Sequence, residues 1–335
     1  MNNKKVLGIY VGPHPAYVKF IESIGAKKYK ITSRVATHQN LFFKGLNLFK
    51  SIYSIPSGFD IYLSEGCYYY PAIRKHLKTI NGKIIDLCSS PVFYKILTKQ
   101  LGWFEGKILL ELAKEVDGFI CEGSYIQEVH RKLGINAPSC VVYTFVNNER
   151  YNIFINMKPN LNSKQIAIIA TNDYFYKGVD ILLESMKIVN ESDPGITLDL
   201  VVNKNINLEK IKHLMTDNIK ISYDVVNALS NTALYVHPAR GDLFPVAPLE
   251  AMLTGIPAIV SNETGTKEVI QEVDDSYVVP LDAQMIAEKI LEYFSLPLDK
   301  KNELSIKFRN AAKKFNEHEQ VQRFKKEYEN LLKSL

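Results

Sequence analysis

No stretch of this 335-residue chain is apolar for anything near the ~20 residues that a membrane-spanning helix needs. A leader pattern is missing as well. Met1 to Lys5 is polar, and the apolar run after it soon meets Gly12, Pro13 and Pro15. Cysteine is scarce: Cys67, Cys88, Cys121 and Cys140 form no CxxC pair and have no histidine at metal-ligand spacing along the chain. The expectation is thiols on or near core strands in a reducing compartment, with no metal site. No GxGxxG follows a strand-like run, and "GIYVGPHP" does not supply one, which argues against a nicotinamide oxidoreductase. No recognised nucleic-acid-binding motif accompanies the basic residues, which are scattered, so no nucleic-acid partner is expected. The expectation from these absences is a soluble, cytoplasmic protein.

Acidic residues are short in the first half only. Residues 1–160 hold 21 Lys and Arg against 11 Asp and Glu, a net +10, while residues 161–335 hold 20 against 25, a net −5. The first half has the field to attract an anionic partner, such as a phosphate-bearing lipid or an anionic membrane surface.

What is present is alternation. Strand-like runs at 4–11, 59–64, 83–88, 117–121 and 140–146 are separated by helical patterns such as 125–134. After a polar segment with Pro159 (156–164), a second series follows: strands at 165–170, 196–202, 232–238 and 257–261, with helices from Gly178 to about Asn190 and across Glu250. Near-continuous apolar strands between helices indicate parallel sheets covered on both faces. The expected fold class is α/β, two Rossmann-like doubly wound domains facing a central cleft. The expected division is 1–155, then 164–315, with a C-terminal helix at 316–335 that packs back towards the first domain. Phe315, Val321, Phe324, Tyr328, Leu331 and Leu332 give that helix a partial apolar stripe.

The segment "RGDLFPVAPLEAMLTGIPAIVS" (240–261) places Asp242 and Glu250 eight positions apart around an otherwise apolar run. The strand before it ends at Pro238, a loop follows, and a helix starts near Val246 or Ala247. The first backbone N–H groups of that helix have no internal partner, and together with the dipole they suit phosphate. A ligand with phosphates on the loop and hydroxyls on Glu250 would satisfy the arrangement, and a nucleoside diphosphate has that layout. Physics alone leaves a plainer reading equally open, with Glu250 a first-turn helix acid and Asp242 a turn residue.

This segment resembles the E-x7-E region of the retaining glycosyltransferases with the GT-B fold, of the family 4 or glycosyltransferase group 1 type. The pattern there is an acidic residue, x, Phe, then Leu-Glu-Ala-Met, then Gly-x-Pro, matched here by Asp242, Phe244, Leu249 to Met252, Gly255 and Pro257. The resemblance implies that Asp242 lies beside a donor sugar and that Glu250 binds the ribose. It adds Phe244, Pro245 and Val246 to the donor site. "DYFYKGVDILLESMKIV" (173–189) resembles the segment where a Lys-Gly pair opens the first helix of the donor domain, which makes Lys177 a catalytic phosphate ligand and Gly178 its neighbour. The family usually has Arg six residues before that Lys, where this chain has Thr171; the diphosphate site should then bind more weakly or be helped by Arg240 or Lys204. "ETGTKEVI" (263–270) resembles the loop after the next strand, with Gly265 permitting close approach.

The first half resembles the family less tightly. "YVGPHP" (10–15) stands where the family has a Gly-rich loop, with Gly12 near a ligand. The His common after the fourth strand is missing from "DLCSSP" (86–91), leaving His14 as a weak acceptor-side substitute or a surface residue. The resemblance implies a retaining hexosyltransferase using a nucleotide sugar, UDP- or GDP-linked, with no other cofactor and no DxD-type metal site. The acceptor would be a glycan, a lipid-linked or another molecule. A non-catalytic nucleotide-sugar-binding protein is the alternative. Peripheral contact on the inner face of a membrane would run through the basic N-terminal domain. "LFFKGLNLFKSIYSI" (41–55) reads as an interfacial or a core helix, and Tyr68 to Tyr70 as interfacial, core or sugar-stacking residues.

Overall fold

A computed structural model of the chain describes residues 4–12, 14–31, 49–170 and 174–335. Internal contacts divide the chain into two units, Met1–Thr144 with His318–Leu335, and Phe145–Glu317.

In the first unit six parallel strands are ordered β2-β1-β3-β4-β5-β6. They are β1 (Val6–Tyr10), β2 (Lys27–Lys30), β3 (Ile61–Glu65), β4 (Lys83–Cys88), β5 (Gly118–Cys121) and β6 (Ser139–Val141). The central strands are apolar and buried because helices cover them: Leu7, Ile9, Tyr62, Leu63, Ile84, Ile85 and Phe119 all lie at 0–1% exposure. The terminal helix Glu317–Ser334 belongs to this unit. Phe324 stacks on Phe20 at 4.7 Å, Leu331 reaches Gly118, and the Leu335 carbonyl accepts from Lys83.

The second unit is ordered β12-β11-β10-β7-β8-β9, again all parallel. Its strands are β7 (Gln165–Ile169), β8 (Thr197–Val201), β9 (Ile219–Ser222), β10 (Leu234–His237), β11 (Ala258–Ser261) and β12 (Val278–Val279). Taken from its own first strand this is the 3-2-1-4-5-6 order of a doubly wound sheet, and the order reverses between β7 and β10. Register there pairs Leu234 with Ile166 and Tyr235 with Ala167. The chain segments leaving β7 and β10 therefore diverge to opposite faces and leave a crevice above the strand ends, where ligands of such sheets bind. In the first unit the corresponding reversal lies between β1 and β3.

Strands β2, β9 and β12 were not expected from the sequence. Two of them, β2 and β12, are sheet edges with polar or very short runs, and β9 (IKIS) closes the remaining open edge of the second sheet. An edge strand has less buried face, so its sequence loses the apolar continuity that marks its neighbours.

Candidate active site

Lys177 follows β7 and Asp242 follows β10, so the two meet at the reversal point of the second sheet. Lys177 Nζ lies 2.5 Å from Asp242 Oδ2. The same oxygen is 3.1 Å from Nε2 of His237, the last residue of β10, which is fully buried and has Nδ1 3.4 Å from the Tyr235 hydroxyl. Burial by itself would push the Asp242 carboxyl up. The Lys177 charge and the His237 hydrogen bond outweigh it and hold Asp242 below the usual carboxylate range. Burial lowers His237 in spite of its bond to Asp242, so the imidazole is neutral near pH 7. Asp242 is thus a fixed anion with two donors on one oxygen. His237 was not singled out in the sequence, where it reads as the polar end of an apolar strand.

The loop bearing Asp242 is held from both sides. The Arg240 N–H donates to Tyr176 O at 2.9 Å, and the Tyr176 hydroxyl donates to Gly241 O. On the other side Gly265 N–H and Thr264 Oγ1 both donate to Asp242 O, at 2.9 and 3.0 Å. These contacts require glycine. A Cβ on Gly265 would stand 1.6 Å from Leu243 O, and one on Gly178 would stand 1.7 Å from Pro238 O at a backbone φ of +70°. Gly178 and Gly265 therefore permit close approach of chain to chain, and so place the loop. Arg240, considered as a substitute phosphate ligand, is committed elsewhere: its guanidinium takes both Asp180 oxygens at 2.8 and 2.9 Å and stacks 4.2 Å over Phe175. Thr171 lies outside the described residues.

The helix Val246–Leu253 begins where expected, with Pro245 as its cap residue. Pro245 and Pro248 have no N–H, so Val246 and Ala247 are the donors of the first turn, fewer than an ordinary helix offers an anion. Glu250 is the fifth helical residue and so stands beyond the first turn, not within it. It is 5% exposed, in a helix buried from Pro248 to Leu253. Arg150, in the helix Asn148–Asn156, closes on it: Nη2 donates to Oε2 at 2.7 Å, and Nε sits 2.6 Å from Oε1 with its N–H directed off that line. Burial pushes Glu250 up to about 7 against the pull of Arg150. Arg150 is a hundred positions away in sequence and carried no signal there. Phe244 is 4% exposed and packs 5.5 Å from Phe315, so it anchors the loop in the core; Val246 is half-buried.

In the first unit Gly12 is exposed, with open space where a Cβ would stand. His14 caps the helix Pro15–Ser23 by accepting from Ala16 N–H at 3.3 Å, and its own N–H donates to Glu65 Oε1 at 3.0 Å. Its ring is thus engaged as a cap. Glu65, at the end of β3, was not singled out. Burial pushes it up to about 7, only partly offset by the His14 backbone N–H, and its Oε2 is buried without a partner among the described residues. Tyr68 is a core residue, with its hydroxyl donating to Leu109 O at 2.8 Å. The described part of 41–55 has Ile52 and Ile55 buried and Phe49 and Tyr53 exposed; residues 41–48 lie outside the described set.

Folding also assembles what spacing did not show. Cys88, Cys121 and His130 end β4, end β5 and line the helix Ser124–Lys132, and their ligand atoms fall within 4.8 Å of one another. Each thiol lies 3.9 Å from one ring nitrogen of His130. Three separate elements bring them together, so the expected lack of histidine near the cysteines held only along the chain.

Residues 153–315 match the model of the family described as glycosyl transferases group 1. A curated relative, the N,N'-diacetylbacillosaminyl-diphospho-undecaprenol alpha-1,3-N-acetylgalactosaminyltransferase of Campylobacter jejuni, is 27% identical over 217 residues, or 62% of this chain. The match spans 55% of that protein, so the chain covers about half the length of this relative. Among solved structures, sucrose-phosphate synthase from Thermosynechococcus elongatus superposes with a TM-score of 0.75 at 13% identity over 99% of this chain and 100% of that one. Anabaena HepE in complex with UDP-glucose gives 0.72 at 14% over 99% and 100%. Likeness at these identities establishes the fold, which is GT-B.

Proposed function

From the match of residues 153–315 to the glycosyl transferases group 1 family and from the GT-B fold, we propose that the protein moves a hexose-type sugar, with retention of anomeric configuration, from a nucleotide-sugar donor to an acceptor. The observation that carries the reading is the Lys177–Asp242–His237 cluster at the reversal point of the second sheet.

In this reading the donor diphosphate comes to Lys177 and the amides of Val246 and Ala247. Lys177 then stands between Asp242 and the leaving group, so the charge that grows on the diphosphate falls on a cation already in place. Asp242 holds donor hydroxyls and favours positive charge building on the sugar ring, and it is ionised at any working pH. Glu250 takes the ribose hydroxyls, sharing Arg150 with them. No protein nucleophile is needed when the acceptor attacks from the face the diphosphate leaves. UDP is the favoured nucleotide, since the HepE structure is named with UDP-glucose. A lipid-linked acceptor is favoured by the diphospho-undecaprenol in the name of the Campylobacter relative.

The test is transfer and donor hydrolysis over a panel of UDP-, GDP- and ADP-sugars, with membrane extract as acceptor. Asp242→Ala and Glu250→Ala are each expected to lose about two or more orders of magnitude in turnover while remaining folded. Wild-type rates in both would remove the site assignment. Donor binding without turnover by the wild-type protein would leave a nucleotide-sugar-binding protein instead.

A further inference from the structure

The helix Trp103–Ala113, with sequence WFEGKILLELA, carries six large apolar side chains, yet only Gly106 and Ala113 are buried. It meets the fold through its smallest residue: a Cβ on Gly106 would touch Ile96 at 3.7 Å. Trp103 is 78% exposed and Phe104 69%, the two highest values for large apolar side chains among the described residues, and Ile108 follows at 45%. Grooves run along both flanks of this helix. One is bordered by His76 and Lys114, the other by Tyr69, Pro91 and Lys95, and Ile108 and Leu112 line both. A helix whose large apolar side chains are spread around most of its circumference is ordinarily enclosed by protein or lipid. A patch of this kind on a soluble surface marks an interaction site.

Charge identifies the occupant. Lys107 and Lys114 line the groove that holds Trp103 and Phe104, with Glu111 and Glu115 beside them, Lys95 and Glu105 line the other groove, and Lys107 Nζ lies 5.3 Å above the Trp103 ring. The unit bearing the helix holds 23 Lys and Arg against 13 Asp and Glu, a net +10, while the other unit is at −5. Two such faces repel each other, which disfavours a second copy of the chain. An anionic bilayer accepts both features at once. Its headgroup boundary takes indole and phenyl rings, and lysine stems lie along apolar surface while their ammonium groups reach phosphate. We infer that the Lys99–Lys114 segment is a membrane-docking element, with Trp103 and Phe104 entering the interface of an anionic bilayer. The inference does not depend on the transferase reading, and it places the contact on a helix distinct from the 41–55 segment.

Trp103 is the only tryptophan of the chain, so its emission reports this position alone. Vesicles of equal parts phosphatidylcholine and phosphatidylglycerol, added to the full-length protein, should shift that emission to the blue, and brominated acyl chains should quench it. Phosphatidylcholine alone, or high salt, should abolish most of the change. Co-sedimentation should fall at least about tenfold in Trp103→Ser/Phe104→Ser with its thermal melting unchanged, since both side chains already face solvent. The inference is overturned if the emission stays that of exposed indole with anionic vesicles, or if the double variant sediments like the wild type. It is also overturned if the blue shift appears without lipid and grows with protein concentration, which would mark a protein partner. Sugar transfer to a soluble acceptor should be unaffected by the double variant, so failure here and failure of the transferase reading are distinguishable.

Discussion

Asp242 combines burial with a held negative charge, and two donors share one of its oxygens. Asn at this position keeps the shape and removes the charge that retains Lys177. Asp242→Asn is therefore expected to lose about 10²–10³ in turnover. UDP affinity should stay level or rise, because Lys177 is released towards phosphate; calorimetry of UDP binding beside initial rates separates the two effects. A parallel loss of both would mean that the loop itself had moved. Two glycines give a second contrast. Gly178 sits at φ +70° against the Pro238 carbonyl, whereas Gly12 faces open space. Gly178→Ala pays the left-handed conformational penalty, ~1–2 kcal/mol, and must also displace a backbone carbonyl. It should lower the melting temperature by at least about 3 °C and cost activity. Gly12→Ala should leave stability within about 0.5 kcal/mol. Equal melting temperatures for the two variants would contradict the packing described for the Lys177 turn.

At the scale of elements, what was legible followed from what each element buries. The central strands and the helix at Glu250 were readable because burial on both faces forces apolar continuity, and the motif residues Asp242, Glu250, Lys177 and Gly178 lie within one short reach of those strands. The edge strands were not readable, nor were partners contributed by other elements. Arg150 reaches Glu250 from the helix Asn148–Asn156, His237 is a strand terminus, and the Cys88–Cys121–His130 group joins three elements. No periodicity encodes such meetings. The helix–helix contact through Arg150 has a measurable consequence. Arg150→Ala leaves Glu250 buried without its counter-charge. Without the pull of Arg150 the carboxyl moves above about 7: at pH 5 it is protonated with or without Arg150, whereas at pH 8 the variant must either hold that proton at a cost or bury an uncompensated charge. The Arg150 side chain is 38% exposed, so solvent screening brings the cost under that of a fully enclosed pair, to about 1–3 kcal/mol. The loss should be large at pH 8 and small at pH 5, read by denaturant titration. A pH-independent loss would show that Arg150 acts through packing on Phe154, whose ring lies 5.3 Å below its guanidinium.

Over the whole molecule Glu65 in the first unit and Glu250 in the second are carboxyls pushed up to about 7, and burial also pushes up the Asp86 carboxyl of the first unit, which the charge of Glu65 raises further. A carboxyl whose folded value exceeds its unfolded value holds extra protons in the native state between roughly pH 4.5 and 7, so its contribution to stability falls as pH rises through that window. Buried His237, and His14 desolvated in its capping position at the surface, are shifted down and work the other way, because acidification below about 6.5 protonates them first in the unfolded chain. Asp242, held low, adds stability above about pH 4 that is lost as pH falls further. The wild-type profile is a sum of opposing slopes and identifies none of them. A difference between variant and wild type removes every shared contribution. Gln replaces Glu without a titrating proton, so the melting temperature of Glu65→Gln or Glu250→Gln, relative to wild type, should rise by about 2–4 °C between pH 5 and pH 8. The two increments should add in the double variant, since the residues belong to separate units and, among the described residues, bond to different groups, His14 and Arg150. A flat difference for either one would mean that its carboxyl is already ionised at pH 5, and that burial at that site is offset more fully than the contacts of His14 or Arg150 indicate.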